Sequence, residues 1–404
     1  MVAAYRYISA DSHLEIDSRY WAPRVAAAHR ERVPRLIRLP DGSDAWLVEG
    51  RPLREVPWDL YGGKGRDRWS PIGQNYETTP GTGPPEQRLQ EQDQDGIDAE
   101  VLFPGISGPP LWRSIRDDDA YRAVVYGYND FLAEDYCAVA PDRLIGLGVI
   151  PWTGVKDAIR ELERCARLGL KGVVLGVFPS GRTYPTPEDD AFWAAATSLR
   201  MPIAVHQELD RSGPSFEYPR ASREVVQRIG SGQGFIEQMA KFGLRGALNA
   251  LQLVLAGVFD RFPSLRVYFA ETQIGWLPYF LQQADARYDR HRRWAEALLG
   301  LPPLARPPSA YIREHCLWGF QSDPVGVEMR HHIGANALLW ATDFPHQDSE
   351  WPHSMEVIAR NFAGVPDDET YRMVVGNAVD FFHLAAARAG AQAGRPTEAP
   401  VQVP

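Results

Sequence analysis

The apolar positions of this chain fall into short continuous runs separated by longer segments of helical character. Tyr5 to Ala10, Ala99 to Phe103, Leu144 to Ile150, Gly172 to Gly176, Pro202 to Val205, Leu265 to Ala270, Cys316 to Phe320 and Leu338 to Thr342 each read as a strand. Unbroken apolar runs of that length suit parallel strands buried on both faces. Helices are predicted over Asp117 to Ala140, Val155 to Leu168, Asp189 to Leu199 and Arg245 to Phe259, then from near Trp276, over Trp351 to Phe362 and over Asp367 to Leu384. Eight strands with helices between them predict a (β/α)8 TIM barrel of the α/β class. A doubly wound open sheet is the alternative, but no G-x-G-x-x-G follows the first strand.

Two insertions interrupt the alternation, at about 16–91 after the first strand and 207–242 after the fifth. The first holds a candidate hairpin, Ala45 to Val48 turning through Glu49-Gly50. Gly62-Gly63-Lys64-Gly65 lacks the G-x-x-x-x-G-K-[ST] frame of a phosphate loop and reads as a turn. The linker Thr79 to Pro85 leads into a polar helix, Glu86 to Asp95. Residues 1–385 form one barrel domain in this reading, and the Ala/Gly/Pro/Gln-rich tail 386–404 is expected to be disordered.

Composition narrows the function. A net charge of −9 without a long basic run argues against nucleic acid. No apolar stretch approaches the roughly 18 residues of a membrane span, and the N-terminus lacks the pattern of a signal peptide. Cys137, Cys165 and Cys316 are too scattered for a C-x-x-C or a disulfide framework and read as buried apolar filler. The expectation is a cytoplasmic protein.

The chemistry lies where the strands end. Asp11 and His13 follow the first strand two residues apart, a spacing that turns both side chains to one face. His206 ends the fifth strand, Glu271 the sixth and Asp343 the eighth, with His346 three residues on. In a barrel the carboxyl ends of the strands carry the active site, and imidazole and carboxylate groups converging there are metal ligands by type.

These motifs resemble the amidohydrolase superfamily, in its amidohydrolase-2 branch of decarboxylases and hydrolases: Ala10-Asp11-Ser12-His13, Ile203-Ala204-Val205-His206, Phe269-Ala270-Glu271 with Gly275-Trp276-Leu277-Pro278, Ala341-Thr342-Asp343-Phe344-Pro345-His346, and Gly376-Asn377-Ala378. The resemblance covers about residues 5–385 and implies that Asp11, His13, His206 and Asp343 bind a metal. Two departures stand out. The usual H-x-H of the first strand is D-x-H, and the sixth strand ends in Glu271 where many members have His. Asp11, Glu271 and Asp343 together bring about three negative charges, which two divalent ions balance better than one. Lys171 precedes the fourth strand and so is not placed as a bridging ligand; Glu271 is the better bridge.

That donor set resembles a smaller branch of the superfamily, dinuclear non-haem iron monooxygenases acting on CoA-linked acyl substrates. Arg287-Tyr288-Asp289-Arg290-His291-Arg292 resembles the same branch, with His291 as a ligand of the second metal. A straight helix from Trp276 would carry His291 about 22 Å away, so the segment would have to fold over the barrel mouth. The leading expectation is therefore a diiron monooxygenase, with manganese and zinc as alternative metals. Its metal ligands would be Asp11, His13, His206, Glu271, His291, Asp343 and His346, and its catalytic residues Asp343, Glu271 and His346. It would use O2 on a bulky, CoA-linked small-molecule substrate and form a homodimer by resemblance; Arg287, Arg290, Arg292 and Arg293 with Asp289 read first as a solvated helix face, with a grip on a phosphate-bearing substrate such as CoA as the alternative. Trp46, Trp58, Trp69 and the segment 207–242 would roof the substrate. The alternative is a mononuclear metal-dependent hydrolase or decarboxylase with Asp343 as general base; the third is a catalytically dead barrel serving as a partner subunit. Glu15 is placed to orient a ligand or to form a salt bridge, while His331, His332 and His353 read as surface residues and His315 as lying at the wrong end of the barrel.

Overall fold

A computed structural model of the chain describes residues 5–55, 60, 63, 65, 70, 73–105, 108–209 and 244–384. Eight parallel strands lie side by side: β1 (Ile8–Leu14), then, after the insertion strands β2 (Arg35–Arg38), β3 (Asp44–Val48) and β4 (Arg51–Glu55), come β5 (Ala99–Pro104), β6 (Leu144–Val149), β7 (Gly172–Leu175), β8 (Ile203–His206), β9 (Val267–Ala270), β10 (Cys316–Phe320) and β11 (Leu338–Trp340). Their order in the sheet is their order in the chain, as right-handed crossovers through intervening helices require. Almost every residue of these strands is buried, because barrel strands face packed side chains inside and helices outside.

The barrel closes where β11 meets β1. Asp343 N–H donates to the Asp11 carbonyl at 2.9 Å and His13 N–H to the Phe344 carbonyl at 2.8 Å. Below them Thr342 N–H donates to Ser9 Oγ at 2.9 Å. This seam is short and irregular, and it lies among the candidate site residues.

Helices cover the outside. Asp118–Phe131 starts at Asp117, whose carboxylate accepts from Ala120 N–H as an N-cap. Val155–Leu168 ends at Gly169 in the left-handed conformation. The cysteines serve packing: all three are free and buried, and Cys165 Sγ fills the space above Gly148 of β6, where a Cβ would collide with it. The helix predicted from near Trp276 runs unbroken over Leu277–Leu299.

The first insertion folds into three short 3-10 turns and an antiparallel β2-β3-β4 sheet. The hairpin turn through Glu49 and Gly50 has φ of 49° and 76°, the left-handed pair that two-residue hairpins favour. Strand β2 was not predicted, since Arg-Leu-Ile-Arg is neither a continuous apolar run nor a clean alternation. Trp46 is buried edge-on to Tyr76, with ring centroids 5.8 Å apart. Trp58, Trp69 and most of the predicted roof, 210–242, lie outside the described residues, as does the tail from 385. Among the described residues no helix is long and apolar enough to cross a membrane.

Candidate metal centre

Asp11 and His13 lie within β1, not beyond it. Between Ser9 and Ser12 the strand holds one residue more than its partner does between Glu100 and Leu102. Such a bulge twists a strand and re-aims its side chains. The polar run Asp11-Ser12-His13 is sustained in the interior because Ser9, Ser12 and Thr342 bond to one another at 2.9 to 3.1 Å. His206 closes β8, Glu271 follows β9 and Asp343 lies three residues beyond β11.

The His13 ring fixes the polarity of the cluster. Its Nδ1 lies 3.1 Å from the Pro104 carbonyl oxygen. A carbonyl only accepts, so Nδ1 carries the ring proton and Nε2 presents a lone pair. That Nε2 is 3.1 Å from His206 Nε2, 3.1 Å from Asp343 Oδ1 and 3.6 Å from Asp11 Oδ1. His206 Nε2 stands 3.9 Å from Asp11 Oδ2 and 3.1 Å from Glu271 Oε2. One ligand atom from each of Asp11, His13, His206 and Asp343 lies within 4.8 Å of the others. Both carboxylate oxygens of Asp11 and Oδ1 of Asp343 are buried with no hydrogen-bond donor. Buried acceptors aimed at one another are costly unless a cation sits among them, and this His/carboxylate set fits a divalent ion.

Protonation follows the same logic. Burial pushes the Asp11 carboxyl well above its ordinary range, and the charges of Asp343 and Glu271 push it further. Glu271 rises for the same reasons, burial first and then Asp343 and Asp348. Burial, aided by the charge of His346, lowers the His13 imidazole to about 4, so it is a neutral ligand at pH 7. Burial also opposes ionisation of Asp343, but the charge of His346 outweighs it and holds this carboxyl low. His346 is raised despite its burial by Asp343 and Glu15. Glu15 is held low despite burial by His346 and Tyr76. His346 Nε2 is 3.1 Å from Glu15 Oε1, its Nδ1 is 3.5 Å from Asp343 Oδ1, and Tyr76 O–H donates to Glu15 Oε2 at 2.7 Å. The result is a buried chain of alternating charge running from the insertion to Asp343.

Six of the seven residues singled out as ligands thus come together: Asp11, His13, His206, Glu271, Asp343 and His346. His346 reaches Asp343 and Glu15, and stacks on His13 with ring centroids 3.9 Å apart. His291 does not join them. It lies on the exposed side of the 23-residue helix Leu277–Leu299, where its Nδ1 accepts from Trp294 Nε1–H at 3.0 Å. The helix is unbroken, and distance along it removes His291 from the cluster. Arg287, Arg290, Arg292 and Arg293 are exposed on the same helix as a solvated face. His331, His332 and His353 are exposed, and His315 is buried against Phe259 at the start of β10. Three participants were not anticipated. Asp348 forms a second carboxylate group with Glu271 and Asp343. Tyr76 holds Glu15 from the insertion. Arg88, in the polar helix Pro85–Asp95, is buried; its i, i+4 neighbour Gln92 is buried with it, and a polar pair at that spacing was the available signal.

Comparison with known proteins identifies the setting. The chain is 25% identical over 310 residues to a gamma-resorcylate decarboxylase of Polaromonas sp., covering 74% of this chain and 87% of that one. The fold is similar to that of 5-carboxyvanillate decarboxylase from Sphingomonas paucimobilis, with a TM-score of 0.64 at 20% identity over 95% of this chain and 100% of that one. It is also similar to dihydroxybenzoic acid decarboxylase from Polaromonas sp. with bound manganese and the inhibitor 2-nitroresorcinol, with a TM-score of 0.61 at 20% identity over 96% of this chain and 98% of that one.

These relatives overturn the expectation of a diiron monooxygenase, and the oxidoreductase class falls with it: they are decarboxylases. O2 and a CoA-linked substrate find no support among them. The charge count that favoured two irons treated Asp11, Glu271 and Asp343 as fully ionised. Burial and mutual repulsion push Asp11 and Glu271 toward their neutral forms, so the count does not demand a second ion. A divalent metal remains the fit to the site. With a family profile matching residues 17–384, the chain belongs to the Amidohydro_2 amidohydrolase family.

Proposed function

We propose that this protein is a metal-dependent decarboxylase of a small aromatic carboxylic acid, with a divalent ion held by Asp11, His13, His206 and Asp343. The observation that carries the reading is the convergence of those four groups with both Asp11 oxygens and Oδ1 of Asp343 buried and without donors. A divalent ion there supplies Lewis acidity and an anchor for a substrate oxygen. Manganese is the first ion to test, given the manganese-bound decarboxylase of similar fold, with zinc and iron beside it. One ion per chain is the proposed count, and Glu271, Asp343 and Asp348 mark where a second would share Asp343.

Decarboxylation leaves the electron pair of the broken C–C bond on a ring carbon, which must then take a proton. Glu271 is the proposed donor. Its carboxyl is held neutral by burial and by neighbouring negative charge, the device by which a carboxylic acid keeps a proton at neutral pH. After CO2 leaves, Glu271 recovers its proton from solvent. His346, pinned by Glu15, keeps Asp343 ionised and oriented.

The test is CO2 release from gamma-resorcylate (2,6-dihydroxybenzoate) and 5-carboxyvanillate by manganese-loaded protein under argon. Turnover without oxygen is expected. No CO2 from any hydroxylated or carboxylated benzoate in a wider panel, by protein that binds the metal, would overturn the proposal. Glu271→Gln should keep the metal and lose turnover, whereas Asp343→Asn should lose both.

A further inference from the structure

Arg88 is the least exposed arginine of the described chain, and every one of its five N–H groups has an acceptor. Nε donates to Glu100 Oε2 at 2.7 Å and Nη2 to Glu100 Oε1 at 3.2 Å. Nη2 also donates to the Phe344 carbonyl at 3.2 Å, and Nη1 donates to the His13 carbonyl at 3.1 Å and to the Gly81 carbonyl at 3.4 Å. The guanidinium lies 4.6 Å over the Phe344 ring. Glu100 is itself held by Gln92 Nε2–H at 2.7 Å.

Two of these acceptors belong to residues on opposite lips of the barrel seam. His13 is on β1, and Phe344 directly follows Asp343. The proposed metal ligands Asp11 and His13 stand on one lip and Asp343 on the other. Among the described residues the two lips are not joined by a regular ladder; the hydrogen bonds Asp343 N–H to Asp11, His13 N–H to Phe344 and Thr342 N–H to Ser9 connect them. The distance between ligand sets is therefore set by a few bonds and by whatever spans them. We infer that Arg88 is a positioning residue that clamps the seam and fixes the spacing of the metal ligands on its two sides. This rests on the metal reading above.

A planar fork is needed for this. The guanidinium reaches the two carbonyls with its two outer nitrogens while its third side meets Glu100. A lysine ammonium offers three donors from one point and cannot span both lips and both Glu100 oxygens. Simple removal would strand Glu100 as a buried unpaired charge and unfold the region for an unrelated reason, so the test removes both charges or neither.

The experiment compares manganese affinity, thermal midpoint and KM against kcat in wild type, R88K, R88M/E100Q and R164M/E161Q. The last pair takes out the partly buried Arg164–Glu161 bridge, which joins residues of one outer helix and touches neither lip. R88K and R88M/E100Q should stay folded and bind manganese about 10- to 100-fold more weakly, the range seen when a residue that orients a metal ligand is changed. R164M/E161Q should lower the thermal midpoint and leave manganese affinity unchanged. Wild-type affinity in both Arg88 variants would overturn the clamp, as would failure of R88K to fold, which would make the residue a structural one. Wild-type protein that binds no divalent ion would overturn the metal reading and the clamp with it, so the two failures are told apart.

Discussion

Metal binding should expel a proton, and affinity should climb with pH. Without metal, Asp11 lies buried beside Asp343 and Glu271, and both effects push its carboxyl well above the ordinary carboxylate range. A carboxylate must be ionised to bind a metal, so an ion that takes Asp11 displaces the proton it holds. His13 contributes nothing to this, because its imidazole titrates at about 4 and is already neutral near pH 6. Asp343 is held low and is already ionised. The net release is about one proton per ion, and affinity rises about tenfold per pH unit for as long as Asp11 remains protonated in the free protein. Two pH units over which Asp11 keeps its proton therefore give roughly a hundredfold. The assay is calorimetric titration of manganese in buffers of different ionisation enthalpy, repeated across that range. Asp11→Asn should bind more weakly and lose the slope. Saturating metal at a hundred times its dissociation constant should also stabilise the fold by about 2.7 kcal/mol. An affinity flat with pH and no buffer-dependent heat would refute the assignment of Asp11 as a protonated, displaceable ligand.

Two further outcomes test the frame around the site. Asp95 accepts from Ser354 N–H at 2.9 Å and Ser354 Oγ–H at 2.6 Å, yet burial raises it from 3.8 to about 6. A raised folded-state value means the favourable contribution is present below about pH 3.8 and lost as pH climbs through about 6. The rise corresponds to at most about 3 kcal/mol. Urea denaturation of Asp95→Asn should therefore show a stability gain over wild type that grows across that window, and a pH-independent difference would refute it. At Gly319 a Cβ would collide with the Tyr268 hydroxyl and come 3.1 Å from the Ala270 Cα. Gly319→Ala should cost about 1–3 kcal/mol in the same assay, with part of the loss recovered in a Tyr268→Phe background; no recovery would place the collision on the backbone instead.

The strands were legible because each is buried on both sides, which writes a short apolar run into the sequence. The strand exits were legible because His206, Glu271 and Asp343 follow those runs directly. The extent of β1 was not, since Asp11-Ser12-His13 reads as the polar end of a strand. Only the serine and threonine hydroxyls contributed from β1 and the far side of the seam make that run a buried one. His291 was misplaced by a local likeness of sequence that the unbroken helix defeats. The chemistry was misjudged for an electrostatic reason: charge was counted from residue types, while burial decides which carboxyls keep their protons. Tyr76 was missed because its partner Glu15 lies far away in the chain, and Arg88 because its seam partners His13 and Phe344 do too and an arginine in a polar helix ordinarily reads as solvated.

The backbone at the strand exits carries one more consequence. Gln207, Glu271, Gln273 and Asp343 have φ of 60°, 53°, 51° and 56°. Each follows β8, β9 or β11, and none is a glycine. A side chain in the left-handed region costs about 1–2 kcal/mol, and such residues persist only where surrounding structure imposes them. At Glu271 the strained residue also carries a buried carboxyl among other acids, so the position is unfavourable twice over in the metal-free protein. Glycine relieves the first burden and removes the second, at about 0.5–1 kcal/mol of added chain entropy. Glu271→Gly should therefore be at least as stable as wild type in metal-free urea denaturation, an unusual result for deleting a buried side chain. The same variant should be inactive, because the position holds the proposed proton. Stability given up at a residue the reaction needs is what a site under functional selection shows. A loss of more than about 2 kcal/mol would mean that Glu271 is held there by packing, and its place at the mouth would no longer argue for a catalytic role.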